Sequence, residues 1–344
     1  MSFIVGTSLL AVVTALACAL PGAFVVLRRN SMLVEGIAHA VLPGIVVGYA
    51  FTLDLNSPWL IFGAALAGLL VVLGNEWLIR TGLITGDAPQ GLIFPALFAA
   101  GVILITLDFN NLHLHTDVVL VGDLNLAAFR PLIVNGVSIG PQYLYVMLAV
   151  LAVNIAFIAM FYPKLKVMTF DDQFAAVLGL RTGLLNTALM FLVSVTVVAA
   201  FHAAGAILVI SLVVVPAATA HLISRHLSVM LVLTAVFAIV GALGGFWVAY
   251  VLDAATSAAM AVFYGLLFVS VAFIDALATR VRRNRRRRVS LPTAKPQPVS
   301  AQPVSAQAVA PAGAPTDPRR AITQHRAMQG GSQTDAFSRP HARR

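Results

Sequence analysis

Two ionisable side chains four residues apart stand out in the stretch VEGIAHAVLPG, residues 34–44. Glu35 supplies a carboxylate and His39 an imidazole, and most residues around them are apolar. In an α-helix, residues i and i+4 lie on one face, one turn apart. A carboxylate oxygen and an imidazole nitrogen at this spacing can bind one divalent cation, and this pair suits manganese, iron or zinc better than copper(I). The same spacing also allows the two side chains to pair with each other or with a neighbouring helix.

Proline and glycine follow this pair. Pro43 and Gly44 come one turn after His39, where they predict a helix bend or a close approach of another backbone. Pro216, in the segment VVVPAATA, predicts a second bend. A transport pathway would need such adaptable segments.

Four further side chains are secondary candidates. His202, in AFHAAGAILV, is predicted near the end of an apolar segment, where an interfacial residue is the alternative to a metal ligand. His113 and His115, in LHLHTD, suggest a loose metal site, although a solvated loop explains them as well. Asp253, in YVLDAATS, is predicted at a turn where it caps the next helix.

The composition is that of a membrane protein. The chain has 344 residues, of which 60% are hydrophobic and 10% charged, and its mean hydropathy is +0.93. A soluble domain carries about a quarter charged residues. Apolar segments of about 20 residues, each long enough to cross a bilayer core, recur along the chain. They predict an all-α polytopic membrane protein with about nine transmembrane helices, at 3–27, 32–53, 58–79, 91–107, 143–162, 184–201, 204–223, 229–251 and 258–278.

The basic residues predict the topology. With the N-terminus outside and the C-terminus inside, fourteen basic residues fall in cytoplasmic loops and only Arg130 falls outside. This bias agrees with the positive-inside rule, so we interpret the net charge of +9 as a feature of membrane topology rather than of nucleic-acid binding. Residues 1–280 are predicted as a transmembrane domain. Residues 281–344 are predicted as a basic, Pro/Ala/Ser/Gln-rich disordered cytoplasmic tail.

A polar interruption at 162–183 predicts a short amphipathic helix on the cytoplasmic side. Thr169 is expected to cap it, two acidic residues lie in its first turn, apolar residues form one face, and a glycine ends it. Such a helix could dock a cytoplasmic partner or simply lie at the interface. The acidic, apolar and terminating residues are Asp171, Asp172, Phe174, Val177, Leu178 and Gly179.

The motifs of common enzymes are missing from the sequence. It contains no GxxxxGK[ST] loop for ATP, no nucleophile elbow and no HExxH motif, so catalysis by this chain is not expected. The single cysteine, Cys18, excludes an intrachain disulfide and a thiolate metal cage.

Four blocks together resemble the membrane subunit of bacterial ABC importers for manganese, zinc and iron. They are LRRNSMLVEGIAHAVLPGIVVGY, LHLHTDVVLVGDLNLAAF, LKVMTFDDQFAAVLGL and GAILVISLVVVPAATAHLI. The first resembles the family's acidic and histidine block, the second its outer loop, the third its ATPase-contacting segment and the fourth a late span. The resemblance covers about residues 5–278.

The resemblance implies a permease fold of the cobalamin-importer type in a bacterial inner membrane, embedded in lipid. It implies a dimer with a second permease copy or a paralogue, cytoplasmic ATPase subunits that hydrolyse ATP, and an extracytoplasmic metal-binding protein. The cargo would be manganese, iron or zinc, with manganese favoured and no permanently bound cofactor. Glu35 and His39 would coordinate the cation in the pathway.

The chain departs from the family pattern at two positions, and other functions stay open. Glu35 stands where aspartate is usual, and Ala38 where serine is usual. The carboxylate is kept, whereas a possible hydrogen-bond partner of the histidine is lost. A secondary transporter driven by an ion gradient is the main alternative, and a signalling or scaffold membrane protein is another.

Overall fold

The computed structural model describes residues 3–52, 58–83, 88–108, 124–129, 131–134 and 137–289. The helices within these ranges are α1 (Phe3–Leu27), α2 (Ser31–Thr52), α3 (Pro58–Arg80), α4 (Ala88–Asp108), α5 (Leu124–Ala128), α6 (Gln142–Phe170), α7 (Asp172–Val177), α8 (Thr182–Ile223), α9 (Leu227–Leu252) and α10 (Thr256–Val289). Two short strands, β1 (Pro131–Val134) and β2 (Val137–Pro141), pair antiparallel between α5 and α6.

The described helices confirm a polytopic helical membrane protein. Seven of them are long and apolar enough to cross a membrane, and α4 adds a shorter apolar helix over Ala88–Leu104. Several of these helices expose large apolar side chains along their length, including Val232 and Trp247 of α9 and Leu266 of α10. Lipid, unlike water, accommodates such surfaces without cost.

The 42-residue element α8 consists of two helices that fold back on each other. Its backbone is helical except at Gly205, where φ is 77° and ψ is 166°. At the start of α8, Asn186 accepts a hydrogen bond from Arg28 at the end of α1. Further along, the main chain of Val213 lies against Gly22 of α1. Residues 186 and 213 would lie about 40 Å apart on a straight helix, whereas 22 and 28 are separated by only about 9 Å. The segments 182–204 and 206–223 therefore run in opposite directions.

Helix α1 lies at the centre of the bundle, in contact with α6, α8 and α9. Pro21 lies inside α1 and lacks the N–H that would bond to the carbonyl of Ala17, four residues earlier. That carbonyl instead accepts a hydrogen bond from Asn154 of α6, at 2.9 Å. The same Asn154 side chain bonds to Thr196 of α8 at 3.0 Å. One buried amide thus joins three helices at the point where proline interrupts the α1 hydrogen bonds.

Three local expectations require correction or extension. Thr169 does not cap the short helix: it lies in the last turn of α6, and Asp171 is the cap residue of α7. Asp253 does not cap the next helix either, because it ends α9 in a left-handed conformation and α10 begins at Thr256. Helix α10 continues to Val289, through residues 281–289 that were assigned to the tail. The remainder of the predicted tail, 290–344, lies outside the described residues.

We expect Gly205→Ala to destabilise the protein by about 1–3 kcal/mol, because the combination of positive φ with ψ near 180° is open to almost no residue except glycine. The measurement is the thermal unfolding midpoint of the purified protein. Gly183→Ala is the matched control. Gly183 belongs to the same element, has open space around its Cα and does not have a positive φ. An unchanged midpoint for Gly205→Ala would contradict the proposed need for glycine at the reversal.

Candidate functional site

Helix α2, which carries Glu35 and His39, packs closely between α3 and α4. A Cβ built on Gly44 would lie 2.7 Å from the main-chain oxygen of Gly63 in α3. A Cβ built on Gly101 of α4 would lie 2.7 Å from the Cβ of Pro43. Real side chains essentially never come this close, so glycine is what allows both contacts. The predicted close approach at Pro43 and Gly44 is present, and the helix continues through both residues.

The imidazole of His39 lies against two phenylalanine rings of α4. It stacks on Phe94 with ring centroids 5.5 Å apart and meets Phe98 edge-on at 5.9 Å. His39 is half-buried, and so is Glu35 one turn away. The aromatic contacts restrict the orientation of the ring without using its nitrogens. The nitrogens are thereby left available to a ligand.

Within the described residues, Glu35 and His39 form no ion pair with each other or with a third residue. The alternative interpretation, in which the two simply pair, is not what this conformation shows. A half-buried carboxylate in a membrane bundle is costly unless a positive charge compensates it. In the same part of the chain, no third His, Cys, Asp or Glu joins them in a metal-binding group. Among the described residues, Glu35 and His39 are therefore a pair rather than part of a larger group of His, Cys, Asp or Glu side chains.

Pro43 changes the main-chain hydrogen bonding of α2 at His39. It lacks the N–H that would bond to the carbonyl of His39, four residues earlier. Residues 35, 39 and 43 follow one another at intervals of four, so they share a face. The side chains at these positions therefore lie on one face, and the main-chain carbonyl of His39 lacks its usual helical donor.

The secondary candidates lie apart from this pair. His202 is exposed near the Gly205 reversal, with its ring 5.2 Å from that of Tyr143. A Cβ on Gly68 of α3 would contact both Ile37 of α2 and Ser194 of α8. Ile37 and Ser194 therefore lie at about the same height in the bundle. His202 lies eight residues beyond Ser194, a rise of about 12 Å. Asp253 is exposed at the end of α9. The predicted site at His113 and His115 falls outside the described residues.

A polar network that sequence reasoning missed lies where α1 and α3 end and α8 begins. Arg28 donates to the amide oxygen of Asn186, whose nitrogen donates to Glu76 of α3 at 2.6 Å. Glu76 also pairs with Arg80 at 3.7 Å, one turn further along α3. The i,i+4 spacing of Glu76 and Arg80 was a readable signal, but nothing in the sequence pointed to Asn186. The network places Arg28 and Arg80, both predicted cytoplasmic, at the same end of the bundle.

Helix α7 confirms the short helix predicted at 162–183. The side chain of Asp171 accepts a hydrogen bond from the Phe174 N–H at 2.8 Å. Gly179 ends the turn with a φ of 74°, in the left-handed region that favours glycine. Two of the apolar side chains, Phe174 and Leu178, are 53% and 56% exposed, and Val177 is 84% exposed. Asp172 begins the helix.

A family model described as the ABC 3 transport family matches residues 1–275. The chain belongs to this family. The zinc transport system membrane protein TroD of Treponema pallidum is 41% identical over 275 residues, which cover 80% of this chain and 75% of that protein. The manganese transport system membrane protein MntD of Bacillus subtilis is 35% identical, covering 81% and 94% respectively.

A solved structure supports the fold of this ABC 3 family member. It is described as PsaBC from Streptococcus pneumoniae in complex with Fab. One of its chains matches with a TM-score of 0.64 at 24% identity, over 79% of this chain and 91% of that one. The ABC 3 assignment and the apolar helices together make this chain a membrane protein of a transport family.

We expect Gly101→Ala to destabilise the protein and Gly91→Ala, on the same helix, to have little effect. The added methyl at 101 would overlap Pro43, whereas a Cβ at 91 meets nothing within 4 Å. Overpacking of this kind costs about 1–3 kcal/mol. Thermal unfolding of the two purified variants compares them directly. Equal thermal unfolding midpoints for the two variants would mean that α2 and α4 can move apart without a loss of stability.

Proposed function

We propose that this chain is the permease subunit of an ATP-binding-cassette importer that moves a divalent transition metal into the cytoplasm. The single observation that carries the proposal is the arrangement of Glu35 and His39. They are half-buried, on one face of a helix inside a membrane bundle, and without an ion-pair partner among the described residues. Family membership supports an ABC importer over the alternative of a secondary transporter driven by an ion gradient.

Manganese is the cargo that we favour, with iron and zinc as the other candidates. Carboxylate and imidazole ligands accept all three ions. A main-chain oxygen released by Pro43 would add a hard ligand, which favours manganese over zinc. The relatives carry the names of zinc and manganese systems, so the names alone do not decide the metal.

We propose that the chain crosses the membrane nine times, with its N-terminus outside and its C-terminus inside. The seven long apolar helices, the shorter α4 and the reversal within α8 support this number. The halves of α8 are about 34 Å and 27 Å long, close to the thickness of a bilayer core. Nine crossings also place the Arg28–Asn186–Glu76–Arg80 network on the cytoplasmic side.

The transport cycle would use partners on both sides of the membrane. A metal-binding protein delivers the cation from outside, and a second permease, identical or paralogous, completes the pathway. ATPase subunits dock against the exposed apolar face of α7 and drive the change that lets the cation pass His39 and Glu35. Pro43, Gly44 and Pro216 would accommodate that movement. The ATPases, and not this chain, would hydrolyse ATP.

Glu35→Ala and His39→Ala are each expected to reduce metal uptake by about tenfold or more, since each removes one of two side-chain ligands. The assay is uptake of radiolabelled manganese and zinc by cells that contain the complete transporter. ATP hydrolysis by the purified complex is measured in parallel and should be retained. His221→Ala, on an exposed histidine in the last turn of α8, is the comparison variant. Wild-type uptake in both ligand variants would show that the pair is structural.

Phe174→Ala combined with Val177→Ser is expected to weaken assembly with the ATPase, because both side chains are largely exposed on α7. Burial of two such side chains contributes about 1.5–3 kcal/mol each. Co-purification of the ATPase with the tagged permease measures the loss. Gln173→Ala, an exposed polar position on the same helix, serves as control. Full recovery of the ATPase with the double variant would contradict docking on α7.

A further inference from the structure

Two buried amide side chains in the helices beside α2 have carbonyl oxygens without hydrogen-bond partners. Asn75 of α3 is 5% exposed and Gln90 of α4 is 3% exposed. Among the described residues, the Oδ1 of Asn75 and the Oε1 of Gln90 accept no hydrogen bond. Burial of an unbonded carbonyl oxygen is costly, and such an oxygen in a native structure suggests a ligand that satisfies it.

The contacts of Gly36 in α2 place the two amides at one level of the bundle. A Cβ on Gly36 would lie 3.3 Å from Val71 of α3 and 3.5 Å from the Cβ of Phe94 in α4. Asn75 follows Val71 by four residues and Gln90 precedes Phe94 by four, so each lies on the face that looks towards α2.

The directions of the helices bring the two amides towards each other. Contacts of Gly44 with Ala64 and of Gly48 with Leu60 show that α3 runs antiparallel to α2. The contacts of Gly36 with Phe94 and of Pro43 with Gly101 show that α4 runs parallel to α2. One turn towards the C-terminus of α3 and one turn towards the N-terminus of α4 therefore lead in the same direction, towards the first residues of α2. Both amides lie about one turn, or 5.4 Å, from the level of Gly36.

This direction leads away from His39 and past Glu35. Along α2 the order is His39, then Glu35, and then the level of the two amides. Further along the same direction, Glu76 of α3 is already bound to Asn186 and Arg80. Within the described part of the chain, the oxygens of Asn75 and Gln90 at this level are buried and have no hydrogen-bond partner.

We propose that Asn75 and Gln90 form an inner oxygen subsite that receives a divalent cation after the Glu35–His39 pair. This proposal rests on the proposed transport function and deepens it. Carbonyl oxygens are hard, neutral ligands that bind manganese readily and satisfy zinc poorly. Their neutrality makes binding weak, which suits an ion that has to leave towards the cytoplasm. The subsite would also bias the pathway towards manganese.

The test introduces a charge at the subsite and asks whether the cation is then held. Asn75→Asp and Gln90→Glu replace a neutral oxygen ligand with a carboxylate of the same shape. Gln90 lies in the first turn of α4, where a negative charge is favourable, so Gln90→Glu should fold even if Asn75→Asp does not. The complete transporter is exposed to manganese chloride and freed of unbound metal, and the retained manganese is then measured by mass spectrometry. Uptake is measured in cells in parallel.

We expect the acidic variants to retain close to one manganese per permease and to import about tenfold more slowly, because a charged ligand raises the affinity at a release step. Gln142→Glu is the matched control, because it makes the same substitution in the first turn of a helix, α6, at an exposed position. It should retain no manganese. The double variant Asn75→Leu with Gln90→Leu should lower manganese uptake more than zinc uptake.

Slower uptake without retained manganese would overturn the subsite, because a purely structural role predicts that result. Unchanged uptake and no retention would overturn it as well. If Glu35→Ala abolishes uptake while the acidic variants behave like Gln142→Glu, the subsite fails and the transport function stands. If the wild-type transporter imports no metal, the proposed function fails, and manganese retention by the purified variants still decides the subsite.

Discussion

The closeness of α2 to its two neighbours is the constraint on which the candidate site depends. Backbone contact at Gly44 and Gly63 and the packing of Pro43 on Gly101 hold this helix between α3 and α4. Helix α4 thereby brings Phe94 and Phe98 against the imidazole of His39. The site is therefore a property of three helices. The His39 ring on α2 is oriented by Phe94 and Phe98, residues that sequence inspection would class as packing.

Main-chain hydrogen bonding supplies a second constraint, and two prolines show its two outcomes. In lipid, a carbonyl that loses its helical donor needs another partner. The carbonyl released by Pro21 finds one in Asn154, and the result is a fixed joint between α1, α6 and α8. The carbonyl released by Pro43 belongs to His39, on the face that carries the proposed ligands. The loss of a helical donor is thus compensated by a side chain at Pro21, and at Pro43 it leaves the carbonyl of His39 without its helical donor.

Much of the architecture could be predicted because apolar length is a strong signal. The helical membrane class, the positions of the long helices and the short α7 all follow from hydropathy and from polar interruptions. The Glu35–His39 pair was visible because its spacing is local. The Arg28–Asn186–Glu76 network was not, since its members come from three distant segments whose contact only the folded bundle reveals. Thr169, Asp171 and Asp172 are all plausible helix caps by residue type, which explains why Asp171 was not recognised as the cap.

No sequence pattern singled out the amides of Asn75 and Gln90. Asn75 lies in an apolar helix and Gln90 near the start of another, and neither belongs to a motif. Their significance comes from burial and from an empty hydrogen-bonding position, both of which depend on the arrangement of α3 and α4 around α2. Carbonyl oxygens on separate helices have no sequence period, so sequence patterns reveal the carboxylate and the imidazole but not the two buried amides.

The reversal at Gly205 has a consequence for how the chain enters the membrane. Two apolar helices joined by one residue have no polar connecting segment that must be carried across the bilayer. The halves of α8 can therefore enter as a pre-paired hairpin, with their backbone hydrogen bonds already formed. Because a single residue joins the two helices, there is no loop at this point that could accept an inserted tag or a protease site. A topology reporter inserted at residue 205 would disrupt the hairpin whose orientation it was meant to report.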